Sequence, residues 1–193
     1  MSNTVKIGKS EVTSTPLGLG TNAVGGYNLF PNLNDDDGLN IVKTGIENGI
    51  TLLDTAYVYG LGHSEELVGQ AIKDFDRHKL VIATKGAQDM STGEEVVRND
   101  PKFITQQVEN SLKRLGTDYI DIYYLHFPDK DTPKAEAVGA WSACVNKARF
   151  APLGSQTSVW IRSKKPTLTA TLTWLKISSV WFTKTWVPKR CHT

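Results

Sequence analysis

The chain has no acidic residue after Glu136 and no tryptophan before Trp141. Its two cysteines, Cys144 and Cys191, are too few for a disulfide framework. No apolar run approaches the roughly 20 residues that a membrane span needs. The opening MSNTVKIGKS lacks the apolar stretch of a secretory signal. These absences lead us to expect a cytoplasmic protein without membrane association. At 193 residues it has length for one domain, or one and a fraction. Its 39% hydrophobic content and 22% charge are those of a globular chain.

The net charge of +2 hides a break. The first 140 residues carry 13 Lys and Arg against all 20 acidic residues, a net −7. The last 53 carry nine Lys and Arg and no acid, a net +9. All five tryptophans, both cysteines and the alternating Thr167, Thr169, Thr171 and Thr173 fall in that second part. Residues 1–140 and 141–193 read as two unlike segments.

In the first segment, strand and helix signals alternate. Leu17 to Thr21, Ile50 to Asp54, Lys79 to Lys85 and Tyr119 to His126 read as strands. Between them, Asp37 is expected to cap a helix with an apolar face of Leu39, Val42 and Ile46, stopped at Asn48-Gly49. Ser64 is expected to cap a helix carrying Leu67, Val68, Ala71 and Ile72. Asp100-Pro101 opens a third helix that Gly116 closes, and Thr132-Pro133 opens another. VKIGKSEVTST at the start reads as a small β-hairpin. Such alternation implies βα units on a parallel sheet. The stretch Gly18 to Ala23 matches G-x-G-x-x-A only weakly and lies largely within a strand, so small residues for close packing explain it better than a doubly wound phosphate loop. The expected fold class is α/β: a partial (β/α)8 TIM barrel, its first four βα units preceded by the hairpin. A whole barrel typically needs about 250 residues.

Barrel chemistry sits at the C-terminal ends of strands. Asp54, Lys85 and His126 each end an apolar strand, a costly place for polar groups unless they meet. Tyr59 lies five residues beyond Asp54, within reach of the same mouth. A carboxylate, a lysine, a tyrosine and a histidine there make a proton-transfer site. Lys85 would favour the Tyr59 phenolate, Asp54 would hold Lys85 charged, and His126 would donate to a carbonyl. Tyr57 reads as packing or mouth lining. Asp35-Asp36-Asp37 reads as a solvated helix entry rather than a metal site, and no metal is expected. His63 and His78 carry no supporting pattern. Asp118 and Asp121 are expected to face solvent or cap the fourth strand.

These residues resemble a known family. Asp54-Thr55-Ala56-Tyr57-Val58-Tyr59-Gly60, followed by HSEELVGQAIK, is similar to the aldo-keto reductase signature. ATKG around Lys85 and DIYYLHFPD around His126 resemble the family's next catalytic segments. The resemblance covers residues 1 to about 140. It implies hydride transfer from NADPH to an aldehyde or ketone, with Tyr59 as general acid and Asp54, Lys85 and His126 completing a tetrad. It implies that Gly20, Thr21 and Asp54 approach the cofactor. It also implies that the groups binding the nicotinamide amide, pyrophosphate and adenosine phosphate come mostly after the fourth strand. The implied partner is a small carbonyl substrate. The alternatives are a non-catalytic cofactor-sensing or partner-binding fragment, and a truncated product without function. Nothing in the sequence sets an oligomeric state.

Residues 141–193 depart from the family and are expected to be a poorly ordered tail. The genetic code suggests why. Let each new codon take the last base of one printed codon and the first two of the next. Asn146 to Ser158 then permits Gln-Gly-Lys-Ile-Arg-Ala-Ile-Gly-Val-Ser-Asn-Phe. Ser158 to Trp174 permits Ser-Val-Asp-Gln-Ile-Lys-Glu-Ala-Asn-Ala-Asp-Gly-Tyr-Val-Asp-Val. A family-like strand and an acidic helix emerge, and one frame shift near residue 140 accounts for the missing acids and the added tryptophans. The rival reading, a basic, Trp-containing nucleic-acid or membrane segment, has no strong helical moment and is interrupted by Pro152, Pro166 and Pro188. No nucleic-acid partner is expected. Sequencing the gene is expected to reveal one insertion or deletion near codon 140. An unbroken frame encoding this tail across related genes would defeat the frame-shift reading.

Overall fold

The computed structural model describes residues 4–8, 10, 12–133, 136 and 137, and the backbone of 158–161. The chain opens with an antiparallel hairpin of β1 (Val5–Lys6) and β2 (Thr13–Ser14). The elements β3 (Gly18–Gly20), α1 (Asp35–Glu47), β4 (Leu52–Asp54), α2 (His63–Ile72) and β5 (Val81–Gly86) follow. A small ladder of β6 (Gln88–Asp89) and β7 (Val96–Val97) precedes α3 (Pro101–Leu115) and β8 (Ile122–Leu125). The main sheet has the order β3-β4-β5-β8-β9, with β9 at Ser158–Ile161. The first four strands are parallel. They form part of a barrel wall, with the expected hairpin ahead of them.

Side-chain parity sorts this sheet into two faces. Leu53 and Ile82 point outward and pack with Val42 of α1, Val68 and Ala71 of α2, and Leu115 of α3. Fully burying each such side chain contributes about 1.5–3 kcal/mol. Val81, Ala83 and Ile122 point inward, with Leu52 and Tyr124, and meet Ile7 and Val12 of the hairpin region. The hairpin therefore closes over the inner face that a complete barrel would enclose.

The third helix starts and stops as its sequence predicts. Asp100 Oδ1 accepts from the Phe103 N–H at 3.0 Å, Pro101 takes the first turn, and Gly116 ends it at φ +61°. The other two helices correct the expectation. Asn34, not Asp37, caps α1, its Oδ1 accepting from the Asp37 N–H at 3.0 Å. Asp37 lies inside the first turn, where its charge suits the helix dipole. Ser64 lies inside α2, and the cap is Gly62 at φ +103°. The Ser64 hydroxyl instead donates to the Thr21 carbonyl at 2.9 Å and lies 3.1 Å from Thr55 Oγ1, tying α2 to the strand ends. For Asp121 only the solvent-facing alternative is corrected, since it stands at the start of β8 where the capping alternative put it. It is buried, accepts from Arg77 at 2.7 Å and from the Ile82 N–H at 2.9 Å, and so stitches β8 to β5 rather than facing water.

In a half barrel the fourth parallel strand would be left as an open edge. It is covered instead, because β9 pairs with it antiparallel, Ile122 opposite Ile161 and Leu125 opposite Ser158. The other expectations for 141–193 lie outside the described residues, as does most of the helix expected from Pro133.

Two features of the signature segment HSEELVGQAIK join α2 to α3. Glu65 is fully buried, accepting from Thr84 Oγ1 and from Arg114 Nε, each at 2.6 Å. Four residues on, Gly69 lets the helices touch: a Cβ there would sit 2.7 Å from the Arg114 carbonyl oxygen. That clash is with backbone and outweighs the ~1 kcal/mol that alanine gains as a helix former. Gly69→Ala is expected to lower unfolding free energy by about 1–3 kcal/mol. Urea unfolding with an unchanged m value checks this, and an unshifted midpoint would contradict it.

Candidate active site

Asp54, Lys85 and His126 share inward parity at the ends of β4, β5 and β8. Asp54 sits opposite Ala83, two residues before Lys85, and Lys85 sits opposite Tyr124, two residues before His126. Register alone therefore brings the three to one rim. Lys85 Nζ is 2.5 Å from Asp54 Oδ1, 2.9 Å from the Thr55 carbonyl oxygen and 3.2 Å from the Tyr59 hydroxyl. An ammonium has three N–H donors, and these three acceptors use all of them. Because the Tyr59 oxygen accepts from Lys85, its own proton is free to point elsewhere. Both members of the ion pair are largely buried, with side chains 12% and 16% exposed. Burial pulls the Lys85 pKa down, but the Asp54 charge and the hydrogen bonds to Asp54 and Tyr59 outweigh it. The net shift is upward, and Lys85 stays charged.

Tyr59 is held by its backbone. The turn Tyr59–Gly62 carries three successive positive φ angles, +66° at Gly60, +54° at Leu61 and +103° at Gly62. A Cβ on Gly60 would lie 2.0 Å from the Gly25 carbonyl oxygen, so only glycine fits. Asn28 grips both sides of Tyr59: its Nδ2 donates to the Val58 carbonyl at 2.9 Å, and its Oδ1 accepts from the Gly60 N–H at 2.7 Å. The sequence reading missed Asn28, since a lone asparagine some 30 residues upstream carries no local signal. Tyr57 points away from the rim, with the Arg114 guanidinium 5.1 Å from its ring centre.

His126 stacks on Phe127 at 4.8 Å and presents its ring edge-on to Tyr59, with centroids 6.4 Å apart. Burial and then the Lys85 charge push its pKa down to about 4, so the imidazole is uncharged at neutral pH. The amide nitrogen of Gln88 lies 2.9 Å from its Nδ1. Tyr124 also faces the rim, its ring centre 5.9 Å from Lys85 Nζ, with a pKa raised by burial and then by Asp54. Neither Gln88 nor Tyr124 was singled out from sequence, although strand parity could have found Tyr124.

Of the expected cofactor-side residues, Gly20 lies in β3 directly opposite Asp54. Thr21 is fully buried behind the rim. Its N–H donates to the Asp54 carbonyl at 2.9 Å, and its hydroxyl lies 2.9 Å from Ser64 Oγ. It locks β3, β4 and α2 together. Asp35 opens α1 but is not merely solvated: it accepts from the Tyr27 hydroxyl at 2.5 Å and lies 3.0 Å from His63 Nε2.

Known proteins resemble this chain over the segment that carries the rim. The aldo/keto reductase family model matches residues 16–151, and the chain belongs to that family. It is 36% identical over 149 residues to the aldo-keto reductase YhdN of Bacillus subtilis, covering 77% of this chain and 45% of YhdN. It is 35% identical over 168 residues to an NADH-specific methylglyoxal reductase of Escherichia coli, covering 78% and 51%. An aldo-keto reductase from Klebsiella pneumoniae, solved in complex with NADPH, superposes with a TM-score of 0.57 at 31% identity, covering 76% of this chain and 46% of that one. The chain spans about half the length of the curated relatives it matches. No helix among the described residues is long and apolar enough to cross a membrane.

The lowered His126 pKa has a stability consequence. Its folded value of about 4 lies below the ordinary 6.5. Between those values the unfolded chain binds a proton that the folded chain refuses. The contribution is thus complete above pH 6.5 and is lost as pH falls towards 4. His126→Asn is expected to flatten the fall in stability across that window, measured by urea unfolding at several pH values. An identical slope in both proteins would contradict the assignment.

Proposed function

We propose that this chain carries the proton-transfer half of an oxidoreductase that reduces small aldehydes or ketones with NADPH. The observation that supports it most is the buried Lys85 ammonium donating to the Tyr59 oxygen while paired with Asp54. Bound NADPH would supply a hydride to the carbonyl carbon. Tyr59 gives its proton to the oxygen as negative charge develops there, a form of catalysis worth about 10²–10⁴-fold. Lys85 steadies the phenolate left behind, and Asp54 keeps Lys85 charged and in place. Uncharged His126 faces the same oxygen. These groups suit the reacting end of the cofactor and substrate; Gly20 and Asp54 would line the cofactor's side of the rim, and Thr21, buried behind it, would brace them. NADPH is proposed over NADH from the family habit and the Klebsiella neighbour. The proposed setting is the cytoplasm, with no metal and no nucleic-acid or membrane partner.

On the frame-shift reading, the family's dinucleotide-binding groups after the fourth strand are translated out of phase. The chain as printed would then bind NADPH weakly and turn over poorly. Restoring the frame near codon 140 is expected to raise aldehyde-dependent NADPH consumption by at least about 10²-fold, and Tyr59→Phe in the restored protein to remove about 10²–10⁴-fold of it. A restored protein whose rate ignores Tyr59→Phe would defeat the assignment of the acid. Tight NADPH binding by the printed chain, read by fluorescence titration, would defeat the claim of a lost cofactor half.

A further inference from the structure

Strict alternation along β5 assigns a face to each residue. Lys85 points inward beside Tyr124, and Gly86 points outward, where a Cβ would meet the Tyr123 hydroxyl. Ala87 should then point inward and Gln88 outward. The structure does the opposite. Ala87 packs in the outer layer with Ile104, Tyr123 and Leu125, and Gln88 turns in to reach His126. The switch occurs at Ala87, which is fully buried and has φ +124°, a conformation that a residue with a Cβ rarely adopts. Such strain persists only where the surroundings over-determine it. Here the Gly86 carbonyl is bonded to the His126 N–H and the Ala87 carbonyl to the Arg98 N–H, each at 2.8 Å.

Gln88 is 1% exposed, and its Oε1 has no hydrogen-bond partner among the described residues. Its Nε2 is 2.9 Å from His126 Nδ1. Rotating the amide by half a turn would leave both its N–H groups without that contact, and a buried orphan N–H is rarer than a buried orphan carbonyl. An amide nitrogen only donates, so Nδ1 must accept. In a neutral imidazole the single proton then sits on the other nitrogen.

We propose that Gln88 is the positioning residue for His126: its amide donates to Nδ1, keeps the ring proton on Nε2, and so aims an N–H donor at the carbonyl oxygen. The purpose of that donor rests on the reductase reading above; the ring state does not. With the opposite tautomer, a bare Nε2 lone pair would face the oxygen and repel it.

The test is long-range proton–nitrogen NMR on the 15N-histidine-labelled chain. It contains four histidines, and His126→Asn assigns the signal. Ring titration is also felt by Lys85 from β5 and Tyr59 from the turn after β4, with Asp54 acting through Lys85, so these are left intact. Wild type at neutral pH is expected to show the Nε2–H form. In Gln88→Glu the carboxylate accepts instead, so the ring gains an Nδ1–H and its titration midpoint rises by about 1–3 pH units. An Nδ1–H ring in wild type overturns the proposal whether or not the variant folds. So does an unchanged ring signature and midpoint in folded Gln88→Glu. An Nε2–H ring here, together with a frame-restored protein that neither binds NADPH nor reduces an aldehyde, would remove the reductase reading and leave Gln88 as the anchor of the ring.

Discussion

The buried pair of Lys85 and Asp54 constrains everything around it. An ammonium taken out of water needs a counter-charge and an acceptor for every N–H. Here one carboxylate, one carbonyl and one phenol meet that need. Removing one partner of such a pair typically costs about 3–5 kcal/mol, because the other is left buried and uncompensated. The pair exists only if β4 and β5 hold their register, since a slip of one residue would turn Lys85 to the helix side. The outer core under Leu53 and Ile82 is what fixes that register. Packing and chemistry are therefore the same constraint seen from the two faces of one sheet.

This coupling explains what could be read in advance. A polar residue ending an apolar strand is expensive, and three of them at successive strand ends point to a shared mouth. Asp54, Lys85 and His126 were legible on those grounds, and Tyr59 through its spacing in the signature. Asp100-Pro101 and Gly116 were legible because caps are local. What stayed hidden depends on contacts between distant segments. Asn34 and Asp37 are equally good caps on paper, and only the chain's entry angle selects Asn34. Ser64 looks like a cap until Thr21 and Thr55 arrive beside it. Asn28, Gln88 and the group of Tyr27, Asp35 and His63 have no periodicity at all. Gln88 is concealed further, because alternation assigns it to the wrong face and only the positive φ of Ala87 returns it.

The parts that hold Tyr59 show how loops contribute to precision. Asn28 fixes the peptide groups on both sides of it, and Gly60 lets the Gly25 carbonyl approach where no side chain fits. Glu65 and Arg114 pin the start of α2 directly after that turn. The tyrosine thus needs no second hydrogen bond from its own side chain to stay near Lys85. Among the described residues its hydroxyl donates to no partner, so its proton stays available at the rim.

The pairing of β9 with β8 falls beyond residue 151, where the family match ends. Edge pairing is a backbone property: any extended segment offers N–H and C=O groups to an exposed strand. Those groups are present whatever side chains the segment carries, so a departure from the family's side-chain pattern does not prevent a strand from forming there. Barrel closure asks for more. The next strand must run parallel after a right-handed crossover, and alternate residues must fill the interior in layers. Ser158–Ile161 runs antiparallel, so this strand does not occupy the place of a fifth parallel barrel strand. Among the described residues, the fourth strand thus has a neighbour without the parallel wall being extended, and the rim rests on four parallel strands.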